Sequence, residues 1–152
     1  MPKIFAKVVI LIESWKLIWN LIFMYFQKIE SFISKLGYSV SYQNEKEGIF
    51  LIEREQDGIK NLIIGVAPPI LIMEQYIFTL KRDDASVLKS LMQKNRDIIH
   101  GAFALDEEGK KVIFRYTVQI ENLGINEFEG ALNSLGLLLS EYYEQIIEFS
   151  KK

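Results

Sequence analysis

One stretch near the N-terminus limits the folds open to this chain more than any other feature. Residues 4–26 contain 13 Ile, Leu, Phe or Val residues, and the charged residues among them are Lys7, Glu13 and Lys16. The stretch is long enough to span a bilayer. Its apolar residues favour insertion by roughly 4–8 kcal/mol, whereas Glu13 and Lys16 near its middle each oppose insertion by about 2.5–3.5 kcal/mol. The net free energy of inserting this stretch into a membrane is therefore close to zero.

The same stretch also has the spacing of a helix. Apolar residues recur at alternating intervals of three and four from Phe5 to Leu36, and Gly37 is a typical helix stop. The other faces are also apolar up to Phe26, whereas the pattern from Gln27 onward is amphipathic. One helix is therefore predicted, and its polarity changes at about residue 24.

This change of polarity predicts two parts of the chain. We expect residues 1–24 to be an apolar helical extension, either membrane-prone or non-native, and residues 25–152 to be the domain. Three explanations of the extension stay open. Met24 is the natural start of translation, or a helix packs Trp15 and Trp19 against the domain, or the segment anchors the chain in a membrane.

Alternation of apolar and polar residues predicts strands in the rest of the chain. Asp83 or Asp84 caps a predicted helix that Gly101 ends, and Asn126 with Glu129 has the signature of a capping box before a single last helix. The predicted class is α+β, an antiparallel sheet packed with helices in the order helix, strands, helix, hairpin, helix. The predicted strands are Tyr38–Gln43, Ile49–Arg54, Lys60–Ala67, Ile70–Leu80 (covered on both faces), Ala102–Leu105 and Lys111–Ile120.

Composition excludes several classes of function. The 152 residues include no cysteine and one histidine, His100, which excludes thiolate chemistry, Cys-ligated metals and multi-His metal sites. A net charge of −2 argues against a nucleic-acid partner held by phosphate neutralisation. The nine glycines lack the spacing of a phosphate-binding loop. We therefore predict a protein that is not an enzyme, with no catalytic, cofactor-binding or metal-binding residues.

A few polar residues interrupt apolar patterns. Glu74 follows Ile70–Met73 in an apolar strand, where burial is unfavourable unless a cation pairs with the carboxylate. Arg115 lies on a strand that could neighbour Glu74, so a structural ion pair between the two residues is the leading interpretation. A rim position and a ligand contact stay open as alternatives. Asn95 lies on the apolar stripe of its helix, which indicates a buried amide bonded to backbone. Arg96 beside it is either a solvated residue or a contact for an acidic partner.

From about Tyr25 to the end, several stretches occur in a recurring order and spacing. They include LGYSV, EGIFLIE, NLIIGVAPPILIMEQYIF and LNSLGLLLSEYY. The most specific is LMQKNRDIIHGAFALDEEGKKVIFRYTVQIENL, in which a helix ending in Asn-Arg precedes a Gly-x-Phe-x-Leu-Asp strand, a tight turn and a strand with Phe-Arg-Tyr. On these stretches the chain resembles the YbjN-like family, bacterial domains that share the fold of type III secretion chaperones and are often labelled Tir-chaperone-like.

The resemblance implies a compact α–β–α domain, often dimeric, without a known active site. Secretion chaperones of this fold hold unfolded effector segments along apolar grooves. Residues 1–23 have no counterpart in the family pattern. Seven residues match the family pattern, and the resemblance implies that they define the fold rather than catalyse a reaction. They are Asn95, Arg96, Gly101, Phe103, Asp106, Arg115 and Tyr116.

Residues and resemblance together predict a non-enzymatic protein-interaction module. It would be chaperone-like and cytoplasmic, and would bind an apolar or extended segment of a partner protein by strand addition or groove docking. The alternative is a membrane-associated accessory protein anchored by residues 4–26. A homodimer is also predicted, because Leu137, Leu138 and Ile147 extend the apolar surface of the last helix beyond one stripe.

Overall fold

A computed structural model describes the backbone of residues 2–152 and the side chains from Leu11 onward. The fold is α+β, as the sequence predicts, with helices on one face of an antiparallel sheet. In chain order the elements are α1 (Pro2–Lys35), β1 (Ser39–Asn44), β2 (Ile49–Arg54), a 3-10 turn (Glu55–Asp57), β3 (Ile59–Ala67), β4 (Ile70–Thr79), α2 (Ala85–Lys94), β5 (Ala102–Leu105), β6 (Lys111–Gln119), α3 (Ile125–Glu141) and α4 (Tyr143–Lys151).

The sheet has six strands in the order β1-β2-β3-β4-β6-β5. Every neighbouring pair is antiparallel. The chain therefore builds a meander from β1 to β4, leaves the sheet to form α2, and returns with a hairpin. The second strand of that hairpin, β6, pairs with β4, which leaves the short β5 at the edge.

The core lies between one face of the sheet and the helices. Phe26, Ile29 and Ile33 of α1 are fully buried there, and the ring of Phe26 stacks on that of Phe50 at a centroid distance of 4.0 Å. From α3, Phe128 and Leu135 fill the same layer. Buried and exposed residues alternate along β3 and β4, because helices cover only one face of the sheet. The expectation that Ile70–Leu80 is covered on both faces is therefore wrong.

Two predicted helix ends are also wrong. The second helix ends at Lys94 rather than at Gly101, and Ile99, which continues its apolar spacing, is 86% exposed. The chain must turn here to reach the sheet edge, and Asn95 makes that turn by bonding to Phe103. The expected last helix is divided at Tyr142 into α3 and α4.

Capping was predicted correctly for one helix and wrongly for another. Asp84 caps α2 by accepting hydrogen bonds from the backbone N–H groups of Ser86 (2.9 Å) and Val87 (3.3 Å). At α3, Gly124 is the cap residue, and its N–H donates to the carboxylate of Glu127 at 3.2 Å. The predicted Asn126–Glu129 box therefore lies two residues too far along the chain.

Candidate functional site

Asn95 joins the end of α2 to the edge strand β5. Its Nδ2 donates to the carbonyl of Phe103 at 3.0 Å, and the N–H of Phe103 donates to its Oδ1 at 2.7 Å. Both polar ends of the amide are therefore paired with backbone. The ring of Phe103 packs near that of Tyr142, the residue between α3 and α4, with ring centroids 6.2 Å apart.

Gly101 occupies a position that no larger residue fits. Its backbone is left-handed, with φ of 86°. A Cβ at this position would overlap the ring of Phe114 and lie 3.1 Å from the carbonyl of Arg115. Glycine satisfies both the conformation and the space.

Glu74 and Arg115 form an ion pair across β4 and β6, where they are register partners. A buried carboxylate was predicted from the sequence, but the side chain of Glu74 is 29% exposed and that of Arg115 is 44% exposed. Because water reaches both groups, such a pair is expected to contribute only about 0–1 kcal/mol to stability. The pair lies on the sheet face opposite the helices.

The remaining predicted residues do not meet at one place. The backbone N–H groups of Lys111 and Lys110 donate to Asp106 and hold the pKa of its carboxylate below the ordinary 3.8. Burial, and then the charge of Glu127, raises the pKa of Tyr116 above 10.0. Arg96 is exposed after α2. The predicted residues thus lie in turns, at element ends and in packing contacts. Their assignment as fold-defining stays a prediction.

A groove of about 760 Å³ lies between the 3-10 turn and α3. Its apolar rim includes Leu137 and Tyr143, which are 70% and 63% exposed. Gly136 lies in its floor, where a Cβ would be 3.5 Å from the carbonyl of Asp57, so α3 approaches the turn closely. The polar side chains that line the groove are Gln56, Asp57, Asn133 and Ser140.

An ion pair supports the wall of the groove. Arg54 donates to Asp57 at 3.3 Å and to the carbonyl of Leu36, and its guanidinium lies 3.6 Å from the ring centroid of Tyr38. This groove was not predicted from the sequence, because nothing local in the sequence connects the turn at Asp57-Gly58 with α3.

The helix α1 projects beyond the domain at its N-terminal end. The side chains of residues 11–20 are all exposed, among them Trp15 at 60% and Trp19 at 48%. Trp15 therefore makes little contact with the domain, whereas Trp19 lines a small pocket together with Glu45 and Lys46 of the turn between β1 and β2. Over the residues whose placement is described, no helix combines the length and apolarity of a membrane span. Residues 1–10, which carry the first part of the apolar run, lie outside the described side chains.

Most of the chain matches the model of a known protein family. The family model CesT_Tir_1 matches residues 23–152. No curated protein matches the sequence.

Solved structures share the fold at low identity. YbjN from E. coli superposes with a TM-score of 0.62 at 10% identity, covering 79% of this chain and 92% of its own. A chain of the HopA1–SchA chaperone–effector complex gives 0.54 at 13% identity, with coverages of 84% and 94%. A chain of the Yersinia pestis type III secretion chaperone SycH in complex with a fragment of YscM2 gives 0.50 at 15% identity, with coverages of 83% and 99%.

Proposed function

Because the chain belongs to the CesT_Tir_1 family, we propose that it is a non-enzymatic, chaperone-like module that binds an apolar segment of a partner protein. Two of the structures that share its fold come from complexes of chaperones with other proteins. The observation that carries the proposal is the groove between the 3-10 turn and α3, since its rim leaves large apolar side chains in water.

The chemistry of the groove suits an extended segment. Leu137 and Tyr143 offer apolar contact, and burying an apolar side chain against them is favourable by about 25 cal/mol per Å². An extended backbone also needs hydrogen-bond partners for its N–H and C=O groups. Asn133, Ser140 and Gln56 can supply them, whereas a docked helix satisfies its own backbone and would not use them.

The experiment uses peptides, because the partner is not identified. A phage-displayed library of random peptides is selected on the full-length protein, and we expect the selected sequences to be apolar. The dissociation constant of a synthetic selected peptide is then measured by fluorescence polarisation. Gly136→Leu should weaken binding at least tenfold, because its side chain fills the groove, whereas Gly136→Ala, whose Cβ meets only ordinary contacts, should keep its stability and most of its binding.

A matched pair of surface variants provides the control. Leu137→Asp places a charge on the groove rim and should weaken binding at least tenfold. Met92→Asp changes an equally exposed apolar residue, 71% against 70%, on α2 away from the groove and should leave binding unchanged. Selection of peptides without apolar residues, or equal binding by all variants, would refute the proposal.

The alternative function, a membrane-associated accessory protein anchored by residues 4–26, also stays a proposal. The exposed apolar side chains of residues 11–20 are the observation that favours it. Cell fractionation tests it directly. Protein that sediments with membranes, resists salt and is released by detergent would favour the anchor, whereas protein in the supernatant would contradict it.

A further inference from the structure

The parts of the chain that form the groove carry a concentrated negative charge. They are residues 54–58, which include the 3-10 turn, and residues 129–144, which run from α3 into α4. One base and five acids in these two stretches give a net charge of −4, whereas the whole chain has a net charge of −2. The base is Arg54, and the acids are Glu55, Asp57, Glu129, Glu141 and Glu144.

Most of this charge is not neutralised within the chain. Arg54 donates to Asp57 at 3.3 Å, so these two charges offset each other. The four glutamates have no base within 4.0 Å of their carboxylates among the described side chains. Charges of one sign along a groove act together on a molecule that enters it. The groove therefore attracts positive charge as well as apolar side chains.

Glu129 lies at the end of the groove nearer the start of α3. It precedes Asn133, which lines the groove, by one helical turn, so the two side chains share a face of α3. Burial raises the pKa of Tyr38, and Arg54 opposes that shift. The charges of Asp57 and Glu129 then raise the same pKa further. Glu129 on α3 and Asp57 on the 3-10 turn therefore face a common region of the molecule.

The other end of the groove lies at the C-terminus of α3. Ser140 and Tyr143 line the groove there. Glu141 and Glu144 follow them directly in the chain and are exposed. The last turn of α3 contains no basic residue, and the carbonyl groups at a helix C-terminus favour a cation. Both ends of the groove thus favour positive charge, and the apolar rim residue Leu137 lies between them.

We propose that the partner segment carries a Lys or Arg on each side of its apolar residues, so that the two cations meet the acids at the two ends of the groove. The proposal rests on the proposed binding of an extended segment. Glu129 and Glu141 are separated by about 18 Å along the axis of α3, at about 1.5 Å per residue. An extended chain covers that distance in about five or six residues.

The charges select the partner more than they increase its affinity. Each ion pair between exposed groups is expected to tighten binding about twofold to fivefold, because water and salt screen it. A segment with acids at the same positions is repelled at both ends of the groove. Attraction of one class of segment and repulsion of the other combine into specificity.

Three versions of one peptide test the proposal. The probe is an apolar peptide selected on the full-length protein, and two flanking positions about six residues apart are both Lys, both Ser or both Glu. Fluorescence polarisation gives their dissociation constants at about 50 mM and about 500 mM NaCl. At low salt the Lys version should bind about tenfold more tightly than the Glu version, with the Ser version between them. High salt should reduce the difference.

A reversal of charge on α3 tests the position of the acids. Glu129→Lys should weaken binding of the Lys version about threefold or more and tighten binding of the Glu version by a similar factor. That gain also shows that the variant is folded. Glu47→Lys makes the same change of charge at an exposed position in the turn at the other end of β2. It should leave all three dissociation constants unchanged.

The outcomes distinguish this proposal from the function on which it rests. If the three versions bind equally and Gly136→Leu weakens all of them, the groove binds apolar segments without regard to charge. The charge proposal is then wrong and the proposed function stands. If no version binds, both are wrong. Tighter binding of the Glu version to the wild-type protein would also overturn the charge proposal.

A second copy of the chain is the other occupant to test, since a homodimer was predicted from Leu137, Leu138 and Ile147. Leu138 is buried in the core of its own chain, whereas Leu137 lies on the rim of the groove. Light scattering at tens of micromolar measures the mass of the wild-type protein and of Glu129→Lys. A dimer that Glu129→Lys abolishes would assign the groove to a second copy and overturn the proposal. An equal mass in both proteins would support it.

Discussion

Replacement of Gly101 is unfavourable both for the backbone conformation and for packing. Gly101 combines a left-handed backbone with contact to the ring of Phe114, whereas Gly109 has the same backbone conformation, φ of 69°, and open space around it. Gly109→Ala should therefore lower the free energy of unfolding by about 1–2 kcal/mol, from conformation alone. Gly101→Ala should lower the free energy of unfolding by about 1–3 kcal/mol more than Gly109→Ala does, because its Cβ is overpacked against Phe114. Chemical denaturation measures both, and equal losses would contradict the proposed clash.

Asn95 is expected to stabilise the fold rather than bind a ligand. Asn95→Leu leaves the N–H and C=O of Phe103 without their partner, and should lower the free energy of unfolding by about 1–3 kcal/mol. Asn126→Leu, at an exposed position on α3, is the control and should change stability by no more than about 0.5 kcal/mol. Unchanged stability in Asn95→Leu together with lost peptide binding would identify Asn95 as a functional residue.

Tyr38 predicts a dependence of stability on alkaline pH. Its hydroxyl is buried without a hydrogen-bond partner among the described residues, and this burial raises the pKa above 10.0, although the nearby Arg54 opposes the shift. Because the pKa of Tyr38 is higher in the folded protein than the 10.0 of the unfolded chain, the folded state keeps its full stability below pH 10.0. That stability is lost as the pH rises through the folded pKa.

The Tyr38→Phe variant should remove this dependence. It eliminates an unpaired buried hydroxyl, so stability at neutral pH should be unchanged or rise by about 1 kcal/mol. Urea unfolding at about pH 8 and about pH 11 should then show a smaller alkaline loss than in the wild type. The exposed Tyr143→Phe serves as the control. An equal alkaline loss in Tyr38→Phe and wild type would contradict the assignment.

At the scale of elements, α1 has two halves with different environments. Phe26, Ile29 and Ile33 are buried against the sheet, whereas residues 11–20 are exposed throughout. A chain that begins at Met24 should therefore fold with little change in stability, and should be more soluble because it lacks an exposed apolar surface.

A shorter chain provides the comparison. Beginning at Glu30 removes Phe26 and Ile29, and each loss of a large buried side chain is expected to lower stability by about 2–5 kcal/mol. That chain should fail to fold cooperatively, as measured by circular dichroism during heating. If the chain beginning at Met24 melts many degrees lower than the full-length protein, the N-terminal half of α1 belongs to the folded domain.

In the whole molecule, the groove and the Glu74–Arg115 ion pair lie on opposite sides of the sheet. The groove is formed by α3 on the helix side, whereas the ion pair lies on the other side. Sites without shared partners act independently. Glu74→Arg should therefore bind the groove peptide with a dissociation constant within about twofold of wild type, as measured by fluorescence polarisation. A tenfold loss of peptide binding in a folded Glu74→Arg protein would show that the two sides of the sheet are coupled.

The order and type of most elements follow from the sequence alone. The predicted strand Ile49–Arg54 is identical to β2, β4 begins at Ile70 as predicted, and Asp84 caps α2. These features depend on periodicity and on hydrogen bonds between near neighbours, which are local properties of a chain. The stretches from Tyr25 onward likewise indicated the family that the match over residues 23–152 confirms.

Which surfaces are covered depends on the tertiary structure. The sequence predicts a buried strand around Glu74 because Ile70–Met73 are apolar on both sides of β4, yet helices pack on one side only. The groove depends on Gly136 approaching Asp57, two residues that are far apart in the chain. Beyond the division between α3 and α4 at Tyr142, Phe149 packs near Phe78 of β4, with ring centroids 6.4 Å apart. Burial depends on what another part of the chain places against a residue, and no local pattern records that.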